Sequence, residues 1–399
     1  MAPRGVTDDP GVIQVHNRTA KVVMNVHGSW PNQALALGMD RDATVREQFF
    51  EFVRRYQNYP GQIERVSAAP WQEVVVDANV DLFQLLPLFR LNRGDGGFYI
   101  DKACVVSRDL DDWDNDNVEN VGVYRLQVKR PNRLGIQTIP QHDIAIHLAH
   151  AEARGQDLPV AIAVGNDPIL TLMGATPILY DQLDYKMAAA LQRGQPYRVV
   201  KSARGLDVPW GSEYVLEGRI LAGKREPEGP FGEFPGYYSG GHDYPVIEVD
   251  RVSHRKDPIY ESLYLGKPWT ELDYVQALTT CAPIYAQWMM DIMAKKPKPT
   301  NSAPGLIYML CGATQHSNTD PFDGTSPGIP IGPHWMIIWP YDAKLCGLPN
   351  TVRDAGAWVM FDGTPYAYLH ICGTPWTGNE YGPGQVPIWT MRYSQRSEP

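Results

Sequence analysis

Along the first 280 positions the hydrophobic residues fall mostly into short β-branched runs bounded by turn residues, a pattern that predicts strands more often than helices. Ala103 to Ser107, Val121 to Val128, Val160 to Val164, Glu213 to Leu221 and Val246 to Val252 are such runs. Two stretches with helical spacing interrupt them. One runs from Asp143 to Arg154 and stops at Gly155; the other runs from about Gln182 to Arg193 and stops at Gly194. Ahead of these, Lys21 to Asn25 is β-prone. Thr44-Val-Arg-Glu47 has the spacing of a capping box and opens a helix through about Tyr56, with Phe49, Phe50, Phe52 and Val53 for its buried side. Many short strands with a few inserted helices predict an α+β fold built on a barrel or a strongly curved sheet.

The last quarter breaks this pattern. Residues 301–399 hold 12 Pro, 12 Gly and five of the 11 Trp, with few charges and dense turn signals, so no regular α/β domain is expected there. The expected division is a small N-terminal α/β region over 1–90, a central domain over 91–275 and an atypical C-terminal part over 276–399.

Composition narrows the function classes. The 399 residues are 43% hydrophobic and 20% charged, which is globular rather than disordered or coiled coil. A net charge of -9 disfavours a broad grip on nucleic acid or an anionic membrane, and the Asp109 to Asp116 run reads as a solvated loop. No apolar run approaches the roughly 18 residues of a membrane span. The opening Met1-Ala-Pro-Arg-Gly lacks a signal-peptide core, and five scattered cysteines lack CxxC spacing. A cytoplasmic protein is expected, without disulfides or structural zinc. Dinucleotide-binding GxGxxG, P-loop, GxSxG and HExxH motifs are absent.

Four segments carry candidate chemistry. In Glu228-Gly-Pro-Phe-Gly-Glu233-Phe-Pro-Gly-Tyr-Tyr-Ser-Gly-Gly241, two carboxylates sit five apart in a stiff loop. Neighbouring carboxylates can split their pKa values and leave one protonated as a general acid. The bland alternative is a charged surface turn. Asn117 to Val128 reads as a strand with Asn120 at its mouth and Arg125 within it. Arg125 could hold a carboxylate or orient the two glutamates, or simply face solvent. Strict alternation puts Asn120 and Arg125 on opposite faces, so a shared site calls for a bulge, with Gly122 a natural place for one. Pro140-Gln-His142 opens a helix, placing His142 at its edge; His147 and His150 on that helix read as structural. Val208-Pro-Trp-Gly-Ser-Glu213 delivers an acid to a strand start. Asn, His and Glu together would suit Mn²⁺ or Mg²⁺ rather than zinc.

In order and combination these segments resemble the UbiD family of reversible decarboxylases, within it the phenolic-acid (4-hydroxybenzoate and vanillate) branch. The resemblance runs from about Val23 to Ile284. It takes in Met24-Asn-Val-His-Gly-Ser-Trp30, Leu86 to Tyr99, Leu158 to Pro168 and Glu261 to Trp269. It implies a split β-barrel central domain of flavin-reductase type and prenylated FMN as cofactor. Asn120, His142 and Glu213 would hold Mn²⁺ or Mg²⁺ against the cofactor phosphate, with K⁺ a further candidate ion. Asn120, Val121, Gly122, Val123, Tyr124 and Arg125, with Gln141, His142 and Glu213, would form the cofactor site. Arg125, Glu228 and Glu233 would be catalytic: Glu233 as proton donor, Arg125 orienting acid and substrate carboxylate, Glu228 tuning Arg125.

The implied reaction is non-oxidative decarboxylation of a hydroxylated aromatic acid. Loss of CO₂ leaves an aryl carbanion that no side chain can stabilise, so a cofactor must act as the electron sink. The implied partners are a small aromatic acid as substrate, a flavin prenyltransferase as cofactor supplier and further copies of the chain in a homo-oligomer. From about Ala286 onward the resemblance ends, and with it the family's C-terminal domain and its cofactor-contacting Lys. The alternative is therefore a catalytically impaired member serving as a subunit or regulator; an ordinary flavin oxidoreductase would need neither the paired glutamates nor the metal set.

Overall fold

A computed structural model describes residues 12–15, 18–138, 142–234, 236–266, 270–283 and 285–286, plus the backbone of five short strands beyond residue 306. The chain divides into two compact units, Met1–Val275 and Gln276–Pro399. In chain order the first contains β1 (Val12–Val15), β2 (Arg18–Val23), α1 (Trp30–Ala36), α2 (Val45–Tyr56), β3 (Ile63–Arg65), β4 (Val74–Val76) and α3 (Leu82–Leu85). Then come β5 (Phe98–Arg108), β6 (Glu119–Arg130), β7 (Arg133–Ile136), α4 (Asp143–Ala153), β8 (Leu158–Val164), α5 (Pro168–Gly174) and α6 (Asp184–Leu191). After β9 (Tyr197–Lys201) and β10 (Asp207–Pro209) follow the long strands β11 (Tyr214–Glu228) and β12 (His242–His254), then β13 (Ile259–Glu261); α7 (Glu271–Thr279) crosses the division between units.

The scaffold is a closed antiparallel barrel. Strands pair in the order β11-β8-β5-β6-β7-β12, β12 returns to pair with β11, and β4 extends the edge of β12. Closure removes free edges and surrounds one core, which includes Leu86, Ile100, Val105, Leu126, Leu134, Val160, Ile162, Leu216 and Val249. The α+β expectation therefore holds as an α+β fold on a closed barrel. The expected capping box is present: Thr44 Oγ1 accepts from Glu47 N–H while the Glu47 carboxylate accepts from Thr44 N–H. Phe52 and Val53 are the buried face of α2, whereas Phe49 and Phe50 are half-buried and meet edge to face. No helix among the described residues is long and apolar enough to cross a membrane.

The expected bulge is elsewhere. Ile100 pairs with Leu126 but Ala103 pairs with Tyr124, so the extra residue belongs to β5 at Asp101–Lys102, and β6 runs regularly through Gly122. Asn120 and Arg125 therefore keep opposite faces. Gly122 meets a different demand: a Cβ there would lie 2.4 Å from the Tyr124 ring. The bulge turns both Asp101 and Lys102 into buried positions. Lys102 Nζ meets Glu261 at 2.6 Å and Glu271 at 2.5 Å, and the Glu271 carboxylate also accepts from the Asn25 and His27 amides. Asp101 accepts from Ser262 Oγ (2.9 Å) and Leu263 N–H (2.8 Å).

The second unit carries β14 (Ile307–Cys311), β15 (His334–Trp339), β16 (Ala357–Phe361), β17 (Thr364–Ile371) and β18 (Ile388–Trp389). They form one antiparallel sheet, with β17 pairing β15, β16 and β18.

Burial raises the Asp101 carboxyl to about 7. Between the ordinary value of 3.8 and about 7 the folded chain then binds more protons than the unfolded one, so this residue makes stability fall as pH rises through that window. Asp101→Asn keeps an acceptor oxygen but has no proton to lose. Urea midpoints across that pH range should decline less steeply for the variant than for the parent chain.

Candidate active site

Two strands of the barrel and one loop assemble the paired carboxylates around Arg125. β6 carries Arg125 on the face opposite to Tyr124, Leu126 and Val128, whose side chains fill or line the barrel core. Glu228 ends β11, next to β12, and the turn that follows brings Glu233 back toward β6. Arg125 Nη2 donates to Glu228 Oε2 at 2.8 Å while its Nη1 donates to Glu233 Oε1. The guanidinium also lies over the Phe231 ring, 5.0 Å from its centroid. One arginine thus links two carboxylates, and the expected Glu–Arg–Glu network exists as geometry.

The two acids are not equivalent. The Glu228 side chain has no exposure, Arg125 has 7%, and Glu233 keeps 29%. Burial is the largest effect on Glu233 and raises its pKa; Arg125 opposes that rise, and the nearby Glu228 adds to it. Glu233 is therefore inclined to hold a proton, as a general acid must.

Asn120 lies at the start of the same strand and has different partners. Its Nδ2 approaches Asp143 Oδ2 and Asp184 Oδ2, each at 3.5 Å, and Asp184 Oδ2 accepts the Val121 amide at 2.6 Å. Asn120 Oδ1 and His142 Nδ1 are both buried, without a hydrogen-bond partner among the described residues. His142 caps α4 with extended backbone and meets Tyr124 edge to face at 5.4 Å. Val121 is buried, and Val123 lies where a Cβ on Gly174 of α5 would touch it. Gln141 lies outside the described residues.

Glu213 has other commitments. One of its oxygens accepts the Ile259 amide at 3.1 Å and the other faces Arg255 Nε at 3.4 Å. Among the described residues, the acids that approach Asn120 are Asp184 and Asp143. Asp184 is a fully buried carboxyl whose pKa burial raises well above the usual range. Its signal in the sequence is faint: a lone acid at the start of an apolar helix, Asp184-Tyr-Lys-Met-Ala-Ala-Ala-Leu191.

The family model described as "UbiD: 3-octaprenyl-4-hydroxybenzoate carboxy-lyase Rift-related domain" matches residues 63–268, which include every residue of the candidate site described here. The chain belongs to the UbiD family. A phenolic acid decarboxylase of Bacillus subtilis is 58% identical over 273 residues, 68% of this chain and 57% of that protein. The structure of Sedimentibacter hydroxybenzoicus vanillic acid decarboxylase in its closed form matches with a TM-score of 0.67 and 49% identity, over 69% of this chain and 58% of that one. The UbiD-class enzyme HmfF from Pelotomaculum thermopropionicum, in complex with prenylated FMN, matches with a TM-score of 0.61 and 32% identity, over 70% and 62% of the two chains. This UbiD chain thus spans a little under three fifths of the length of its phenolic-acid relatives.

A carboxylate as buried as Glu228 is tolerated only beside its cation, because an unpaired buried charge costs about 3 kcal/mol or more. Arg125→Met should therefore destabilise the chain by about that amount. Adding Glu228→Gln should restore most of it, and urea unfolding of the two variants against the parent measures both effects.

Proposed function

We propose that this chain is a UbiD-type carboxy-lyase catalysing the non-oxidative, reversible decarboxylation of a hydroxylated benzoic acid such as 4-hydroxybenzoate or vanillate. The observation that carries the reading is the Glu228–Arg125–Glu233 network, found in a chain 58% identical to a phenolic acid decarboxylase. When bound, prenylated FMN would supply the electron sink that lets an aromatic carboxylate lose CO₂. The residues of the chain account for the rest. Arg125 offers the cationic hydrogen-bond donors that orient a substrate carboxylate. Glu233 holds a proton and gives it to the ring carbon that has lost CO₂; its partial exposure lets water restore that proton. Glu228, buried against the other side of the guanidinium, holds Arg125 in place and disfavours ionisation of Glu233.

The residues also fit a divalent cation. Asn120 Oδ1 and His142 Nδ1 are buried donors of electron pairs with no partner among the described residues, and Glu213 would supply the acid that the family resemblance places with them. Oxygen and imidazole ligands of this kind suit Mn²⁺ or Mg²⁺. The acidic position in this reading is Glu213, whose present contacts with Arg255 and the Ile259 amide a cation would replace in part; Asp184 is committed to the Val121 amide and faces the Asn120 Nδ2 donor. The Asn120 to Arg125 backbone and Gln141 would line the cofactor. The reading assigns no residue to K⁺. It includes a flavin prenyltransferase as supplier, a homo-oligomer and a cytoplasmic setting.

Glu233→Gln should keep its cofactor and lose about 10²–10⁴-fold in turnover on 4-hydroxybenzoate or vanillate, the usual worth of a positioned general acid. Because Glu233 must be protonated, activity of the parent chain should fall as pH rises through a pKa above the ordinary glutamate range. A Glu233→Gln variant that turns over normally would refute the assignment. For the cation, elemental analysis should find Mn²⁺ lost, with flavin, from His142→Ala and Glu213→Gln. Mn²⁺ retained in Glu213→Gln would refute Glu213 as the acidic ligand.

A further inference from the structure

The loop that carries the two glutamates is held by a segment with no role so far, Asn92 to Tyr99. Asp95 is 4% exposed, and both its oxygens are used: Oδ2 accepts the Asn92 amide within the segment and Oδ1 accepts the Gly232 amide across the gap, each at 2.8 Å. The carbonyl of Pro230 accepts twice from the same segment, from the Gly96 amide at 2.6 Å and from the Tyr99 hydroxyl at 3.2 Å. Farther along, the Tyr238 hydroxyl accepts the Gly94 amide at 2.9 Å.

The two segments meet backbone to backbone. A Cβ on Gly96 would lie 2.2 Å from the Gly229 carbonyl oxygen, and one on Gly232 would lie 2.2 Å from Asn92 Nδ2. The loop itself folds back on the Gly232–Tyr238 bridge, with the Glu233 amide donating to Tyr237 O at 2.8 Å. Glu233 therefore sits at the tip of a short hairpin whose near end is pinned at Pro230 and Gly232.

Tyr99 does more than hold a carbonyl. Its position on β5 pairs with Gln127, two residues from Arg125 and on the same face of β6. Its ring packs on Phe231, centroids 4.5 Å apart, and Phe231 lies under the Arg125 guanidinium. Leu263 and Leu265 complete this small cluster, which is separate from the barrel core. Burial and then the Glu228 carboxylate push the Tyr99 phenol up, so it stays a hydrogen-bond donor at any working pH.

We propose that Asp95 and Tyr99 are positioning residues that clamp the Glu228–Glu233 loop to the barrel and so fix Glu233 against Arg125 for proton delivery. The proposal rests on the reading of Glu233 as proton donor. Both residues act through the loop: one pins the amide just before Glu233, the other the carbonyl just after the turn and the ring beneath Arg125.

The test uses the full chain loaded with prenylated flavin, with rates normalised to bound cofactor. Tyr99→Phe keeps the ring and its packing and removes one donor. It should lower kcat about fivefold to tenfold, with KM for vanillate within twofold, and should raise the solvent deuterium isotope effect on kcat as proton delivery slows. A purely structural role would lower cofactor loading or stability and leave normalised kcat and the isotope effect unchanged, which would overturn the Tyr99 assignment. For Asp95→Ala, amide exchange followed by NMR should speed at Gly232 by at least tenfold while β8 amides keep their protection. Unchanged exchange at Gly232 would overturn the clamp. If the parent chain turns over no phenolic acid, the proposed function fails on that result alone, and Gly232 exchange still decides the clamp.

Discussion

A charge taken out of water must be matched where it lies, and the candidate site is organised by one such match. Glu228 is fully enclosed at the end of the longest barrel strand, and its counterion is Arg125, a nearly enclosed side chain on another strand. The pair needs barrel closure, because the two strands are neither consecutive nor adjacent: β7 and β12 lie between β6 and β11. Once Arg125 is held, its second face is committed in direction, and the only freedom left to Glu233 is the path of the intervening loop. Gly96 and Gly232 let that loop and the segment ahead of β5 approach closely, Gly96 against the Gly229 backbone and Gly232 against the Asn92 side chain. Fold, ion pair and acid are thus successive consequences of burying one carboxylate.

The same scaffold separates two kinds of chemistry along one strand. Alternation on β6 sends Asn120, Gly122 and Tyr124 to one face and Val121, Val123 and Arg125 to the other, and no irregularity in β6 reconciles them. The Asn120 end meets the half-buried Asp143, the buried Asp184 and atoms with no partner among the described residues; the Arg125 side meets the paired glutamates. Membership of the UbiD family is consistent with that division.

Much of this was legible in the residues, and the failures have physical causes. Local signals read well: the Thr44–Glu47 box, the helix stops at Gly155 and Gly194, and the β-branched runs all correspond to observed elements. The spacing of Glu228 and Glu233 within a turn-rich loop also pointed to a pair. The bulge was expected in β6 because Gly122 invites one, but a glycine marks close approach as readily as irregularity, and here the Tyr124 ring fills the space. The real bulge, at Asp101–Lys102, has no glycine. It is set by the partners waiting for those side chains, Glu261, Glu271 and Ser262, more than 150 residues away. Asp184, buried beside Asn120, is a neighbour that nothing local announces. Charge pairing across long separations is what a linear reading sees least well.

The central claim is that these two regions together form one prenylated-flavin decarboxylase site. Native mass spectrometry of the chain purified after co-expression with a flavin prenyltransferase tests it most directly. The account predicts a folded protein carrying close to one prenylated flavin and one divalent cation per chain. A folded chain with an intact barrel and no bound flavin would contradict it.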